Sequence, residues 1–173
     1  MMKTTKRICI NGLGIALFVA LTLCIQMPIF QNYYICLGYF VMTAFLYIFG
    51  TISGTLVGTL GVILYCIVTG GLRGMPGWAL GNLAIGIMMG ITFRLVKKLN
   101  KTVLEMVISS IVAVISVAFG ILVVKSAVEH IIYSLPFMLR VMTNVYAFIA
   151  DVVIIIISIP VCKVLALKSK LLL

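Results

Sequence analysis

The chain has 173 residues, 64% of them hydrophobic and 9% charged, with thirteen Lys and Arg against three Asp and Glu for a formal net charge of +10. A mean hydropathy of +1.34 excludes a soluble globular domain and marks an integral membrane protein. At roughly 20 residues per span the length suits about six spanning helices with short loops and leaves no room for a soluble domain. Residues 1–173 are therefore expected to form a single membrane domain of the all-α class. The positive charge needs no nucleic acid, because basic residues anchored at an anionic membrane surface account for it. Cysteines at 9, 24, 36, 66 and 162 lack CxxC spacing, so they read as small core residues and suggest neither a disulfide framework nor a metal site.

The first apolar run follows a basic head, Lys3, Lys6 and Arg7, and is too long for a signal-peptide core, so residues 8–27 are expected as a first spanning helix. Gly12, Ala16 and Ala20 place small residues at every fourth position of it. Such a face lets another helix approach closely in lipid, either within the chain or from a partner. Pro28 then breaks the helix, and Gln31, Asn32, Tyr33 and Tyr34 form a polar, aromatic loop of the kind found at a membrane interface.

From Ile35 to Val68 no charge occurs, and one helix of that length would reach about 50 Å, beyond a hydrocarbon core of about 30 Å. The segment must turn, and Gly50 to Gly54 is the place, giving helices at 35–49 and 53–69. Gly54, Gly58 and Gly61 then mark a close-packing face. The glycine-rich stretch from Gly70 to Gly77 reads as a mobile loop, followed by a helix at 78–96. Helices at 104–124 and 141–164 flank a polar connection holding Lys125, Glu129, His130, Tyr133, Pro136 and Arg140.

With six helices, ten of the thirteen basic residues fall on one side: Lys3, Lys6, Arg7, Arg94, Lys97, Lys98, Lys101, Lys163, Lys168 and Lys170. Cytoplasmic loops accumulate Lys and Arg, so both termini are expected to be cytoplasmic. Dropping the turn at Gly50 would scatter that bias.

The opposite, outer side collects the residues that suit a small polar ligand. Gln31, Asn32, Tyr33, Tyr34, Arg73, Glu129, His130 and Tyr133 come from its loops. Trp78 and Asn82, four apart, present an indole and an amide on one helix face. Arg140, Asn144 and Asp151 recur at spacings of four and seven, and Asp151, the deepest acid, is expensive in lipid unless it faces a cavity or a partner such as Asn82 or Arg73. The three acids, Glu105, Glu129 and Asp151, are far apart, and His130 is the only histidine. No metal cluster, Gly-x-Ser-x-Gly elbow or phosphate-binding loop can be assembled, so neither catalysis nor direct ATP hydrolysis is expected.

Six short helices, the Gly12-x-x-x-Ala16-x-x-x-Ala20 ladder, the Phe49 to Gly58 turn and the Gly77-Trp78-Ala79-Leu80-Gly81-Asn82-Leu83-Ala84-Ile85-Gly86 stretch resemble the substrate-binding S component of an energy-coupling factor (ECF) vitamin transporter. That resemblance covers nearly the whole chain. It implies a bacterial cytoplasmic-membrane protein with no cofactor that captures a vitamin outside. It also implies docking, through Gly12, Ala16 and Ala20, on a transmembrane coupling subunit driven by two ATPases. The aromatic and amide residues favour a compact heteroaromatic such as hydroxymethylpyrimidine or a pyridoxine-like vitamin, with pantothenate next through Arg73 or Arg140. The residues leave two other readings open: a proton-coupled secondary carrier using Asp151, and a small homo-oligomeric membrane protein joined through the helix 1 stripe.

Overall fold

The computed structural model describes residues 4–24, 28–30, 33–34, 36–97 and 102–171, with side chains for 4–24, 36–97 and 102–166. Helix α1 (Thr4–Cys24) is followed by a two-stranded antiparallel hairpin, β1 (Pro28–Phe30) and β2 (Tyr33–Tyr34). Then come α2 (Gly38–Ile48), α3 (Thr51–Thr69) and α4 (Met75–Val96). The next helix is one unbroken rod: α5 (Thr102–Val117), a π-helical segment (Ala118–Lys125) and α6 (Ser126–Tyr133). The last, α7, runs from Phe137 to Leu171 with Pro160 inside it.

Among the described residues five helical stretches are long and apolar enough to cross a membrane, at 4–24, 51–69, 75–96, 102–133 and 137–166. Large apolar side chains such as Leu60, Ile91, Ile111, Ile115, Ile149 and Val153 cover their outer faces. That is the expected surface of a multi-pass bundle whose surroundings are as apolar as its core. Helix α2 is apolar too, but has only 11 residues.

The turn between α2 and α3 falls at Gly50, whose φ of +93° lies where a side chain is strained, so the reversal needs a glycine. Helix α3 ends at Gly70, left-handed at φ 72°, a regular helix stop. Pro76 sits in the first turn of α4, where its missing N–H costs nothing. That helix therefore starts at Met75, earlier than the expected 78.

A larger correction concerns the polar stretch expected as a connection between 124 and 141. It is helical as far as Tyr133, leaving only 134–136 as a turn. The reason is packing: Ser126 and Glu129 are buried inside the bundle, so their polarity does not end the helix. A second correction concerns the cysteines, since Cys9 and Cys24 are exposed while Cys36, Cys66 and Cys162 are buried.

Packing is tightest where glycines replace side chains. A Cβ on Gly54, Gly58 or Gly61 would lie within 2.6 Å of Leu46, Met42 or Phe18, respectively, and one on Gly86 within 2.6 Å of Thr55 Oγ1. These contacts draw α3 against α1, α2 and α4 and place a buried core of Phe18, Tyr39, Met42, Leu46, Val57, Ile85, Met89 and Phe93 between them. On α1, Gly14, Phe18, Val19 and Thr22 face that core. Gly12, Ala16 and Ala20 lie on the opposite, exposed face.

Candidate functional site

Polar side chains gather in one half of the bundle, toward the ends that carry Arg73 and Arg140. Trp78 and Asn82 extend from α4 one helical turn apart. The Trp78 indole N–H donates to the Tyr39 hydroxyl at 2.9 Å, and that hydroxyl donates to Asn82 Oδ1 at 2.6 Å. Asn82, fully buried, donates from Nδ2 to the Gly58 carbonyl at 3.0 Å. Tyr65 packs edge-on against the Trp78 ring at 5.7 Å. The amide thus has both ends satisfied, as a buried amide requires, while the indole remains only half-buried.

Asp151, 4% exposed, lies against the Tyr39 hydroxyl and within electrostatic reach of Lys125. Its partners are therefore Tyr39 and Lys125, and not Arg73, which is exposed at the rim. Lys125 finds room because α4 carries glycine at 77 and 81. A Cβ on Gly77 would meet Lys125 Cγ at 3.2 Å, and one on Gly81 would meet Lys125 Cβ at 3.7 Å.

Around Glu129, 2% exposed, a second set closes. Arg140 Nε donates to Glu129 Oε2 at 2.7 Å and its terminal guanidinium nitrogen approaches the same oxygen at 2.7 Å. Asn144, fully buried, donates to Ser126 Oγ at 3.0 Å and to Glu129 Oε2 at 3.4 Å. Lys125 and Arg140 thus stand against Glu129 and Asp151, two basic and two acidic side chains in an apolar surround. A buried charge is tolerable only when paired and hydrogen-bonded.

Above this cluster opens a cavity of about 400 Å³ lined by Arg73, Gly74, Tyr133, Leu135 and Arg140. The Arg73 guanidinium sits 5.3 Å from the centre of the Tyr133 ring. The volume falls in the usual range for small-molecule sites, about 300–1,000 Å³. His130 lies outside the cluster: it is exposed, and its Nδ1 donates to the Leu135 carbonyl at 2.6 Å, tying down the turn between α6 and α7. The side chains of Tyr33 and Tyr34 lie outside the described residues.

The structure therefore brings together Trp78, Asn82, Asn144, Asp151 and Arg140, and sets Arg73 and Tyr133 at the cavity mouth. It joins to them Glu129, which the sequence places on the outer side, and adds three residues that sequence reasoning did not select: Tyr39, Lys125 and Ser126. A signal for Lys125 was present, since it is a cation outside the basic clusters of the opposite end, within a run that carries no other charge between Glu105 and Glu129.

At the other end of the bundle, Glu105 accepts from the Tyr47 hydroxyl and pairs with Lys163 at 2.7 Å. Lys97 donates to the Tyr47 carbonyl and lies 3.9 Å from the centre of the Tyr47 ring. These contacts tie α2, α4, α5 and α7 together there. Among the described residues no three His, Cys, Asp or Glu side chains gather as a metal site would require.

A helical multi-pass membrane protein with a buried, charge-balanced polar cluster beneath a small-molecule-sized cavity belongs to the class of membrane-embedded binding proteins. The family model for the ECF-type riboflavin transporter, S component, matches residues 2–167, and the chain belongs to that family. S components are substrate-binding subunits, without catalytic function, that work with a T component and ATPases. The vitamin in the family description differs from the pyrimidine or pyridoxine-like ligand expected from the sequence. Comparison with curated proteins and with solved structures gives no match.

Proposed function

We propose that the chain captures riboflavin, or a flavin closely like it, from the outer face of a bacterial cytoplasmic membrane and delivers it through a coupling subunit driven by two ATPases. The observation that carries this reading is the family match over residues 2–167. The half-buried Trp78 indole and the polar side chains of Arg73, Tyr133 and Arg140 around the cavity support it, because a flat heteroaromatic needs a stacking surface and hydrogen-bonding groups along its edge. Ligand recognition is assigned to Trp78, Asn82, Asn144, Asp151, Tyr39 and Lys125, with Arg73, Tyr133 and Arg140 at the entrance. The reading takes residues 1–173 as one six-helix domain, with α2 as the short sixth helix and both termini cytoplasmic.

Docking is assigned to Gly12, Ala16 and Ala20. Support comes from their exposure, and from Gly12 in particular, where an added Cβ would meet nothing within 4 Å. A face so smooth is suited to another helix in lipid.

The test is equilibrium binding to the purified protein with riboflavin, hydroxymethylpyrimidine, pyridoxine and pantothenate, riboflavin being followed by its own fluorescence. Riboflavin is expected to bind, and Trp78→Ala to weaken it about 5- to 150-fold, from about 1–3 kcal/mol for one stacked ring. Binding of a different vitamin, or of none, would overturn the assignment.

A further inference from the structure

The rod from Thr102 to Tyr133 changes its period at one place. Up to Ile121 the buried positions are Ser109, Ala113, Ser116, Val117, Gly120 and Ile121, steps that keep one α-helical face inward. The next buried positions are Ser126 and Glu129. Ser126 stands five residues beyond Ile121, across the π segment, and its hydroxyl donates to the Ile121 carbonyl at 3.5 Å. A π turn carries one residue more than an α turn, and such segments recur at functional sites.

Had the α period continued, the inward row after Ile121 would be Val124, Val128 and Ile131, all apolar. In the structure Val124 and Val128 are half-buried and Ile131 is 77% exposed. Lys125 and Glu129 follow Val124 and Val128 by one residue, about 100° of helix, and Ser126 follows Val124 by two, so the same stretch owns two possible inward faces: a polar one led by Lys125, Ser126 and Glu129, and an apolar one. Beyond Ile121 the polar face is held by close contact with α4, since a Cβ on Gly77 would lie 3.1 Å from the Lys125 carbonyl oxygen and 3.2 Å from Glu129 Cγ.

Resting on the capture reading above, we propose that the π segment is a register switch that positions the polar half of the site. In the π register Lys125, Ser126 and Glu129 face the ligand. In the α register the stretch after Ile121 turns, buries Val124, Val128 and Ile131 instead, and withdraws the three polar groups. That rotation exchanges the Glu129–Arg140 pair, the Ser126–Asn144 hydrogen bond and the His130 contact to the Leu135 carbonyl for the apolar burial.

The experiment is maleimide labelling of Ser126→Cys, in a chain with Cys9→Ser and Cys24→Ser, against Met138→Cys as the exposed reference. A minor register populated at about 0.1–10% predicts labelling about 10- to 1,000-fold slower than at position 138. Deleting Val123 removes the extra residue while keeping Ser126 and Glu129 inward, and should abolish labelling at position 126. Ile131→Lys, which places a charge on the apolar face without touching the polar one, should slow it by at least about tenfold. It serves also if the deletion fails to fold. Saturating riboflavin should slow labelling of the full-length chain.

Equal rates with and without these changes, or no labelling in any background, would overturn the switch. Riboflavin that binds without slowing the reaction would overturn its link to capture. Failure of riboflavin to bind at all would sink the capture reading alone, because labelling is read without ligand.

Discussion

Gly81→Ala tests the contact on which the site's geometry depends. The added Cβ would lie 2.7 Å from the Gly120 carbonyl oxygen and 3.4 Å from its carbon. Both atoms are backbone, so no change of rotamer relieves the clash, and α4 must move away from the π segment by about half an ångström. Overpacking of this kind costs about 1–3 kcal/mol. For a chain of this size that corresponds to a fall in melting temperature of about 2–12 °C. The assay is thermal unfolding in detergent, with riboflavin binding measured on the same samples. Gly12→Ala is the control: its Cβ meets nothing within 4 Å, and alanine favours a helix over glycine by up to about 1 kcal/mol, so stability should hold or rise. Gly81→Ala as stable as the parent, or Gly12→Ala equally damaged, would refute the reasoning.

Ala16→Leu and Ala20→Leu should leave riboflavin binding intact and abolish uptake by the assembled transporter, as measured in proteoliposomes; lost binding would contradict the surface assignment. Tyr39→Phe removes the hydroxyl that accepts from Trp78 and donates to Asn82, and should cost about 1–3 kcal/mol of stability through the groups left unpaired, read by thermal unfolding. Lys163→Met leaves Glu105 with Tyr47 and the more distant Lys97 but without its paired cation, and the double variant Glu105→Gln with Lys163→Met should be more stable than Lys163→Met alone, since the part-buried charge that lost its partner is gone.

How much of this was legible in the sequence follows from which forces act locally. The reversal at Gly50 could be read because a charge-free run too long for one span must turn, and glycine marks the place. Trp78 with Asn82, and Asn144 with Asp151, could be paired because an unbroken α-helix keeps a constant period. Lys125, Ser126 and Glu129 defeated the same logic, as the extra residue of the π segment shifts the face after Ile121 and their polarity imitates a loop. Tyr39 carried no signal of its own. A tyrosine near the start of an apolar run looks like an interfacial residue, and only the approach of α4 and α7 turns its hydroxyl into the link between Trp78, Asn82 and Asp151.

The brevity of α2 has an electrical consequence. Eleven residues rise about 16 Å, and Tyr47 near its end meets Glu105 and Lys97 at the far end of the bundle. The helix therefore begins within the bundle, at Gly38, beside the Tyr39 that touches Asp151. A helix start carries roughly half a positive charge from its unpaired amides. The Tyr39 and Phe40 amides at that start are met by the Cys36 and Leu37 carbonyls, so the positive end of α2 is capped by its own chain and the cation within reach of Asp151 is Lys125.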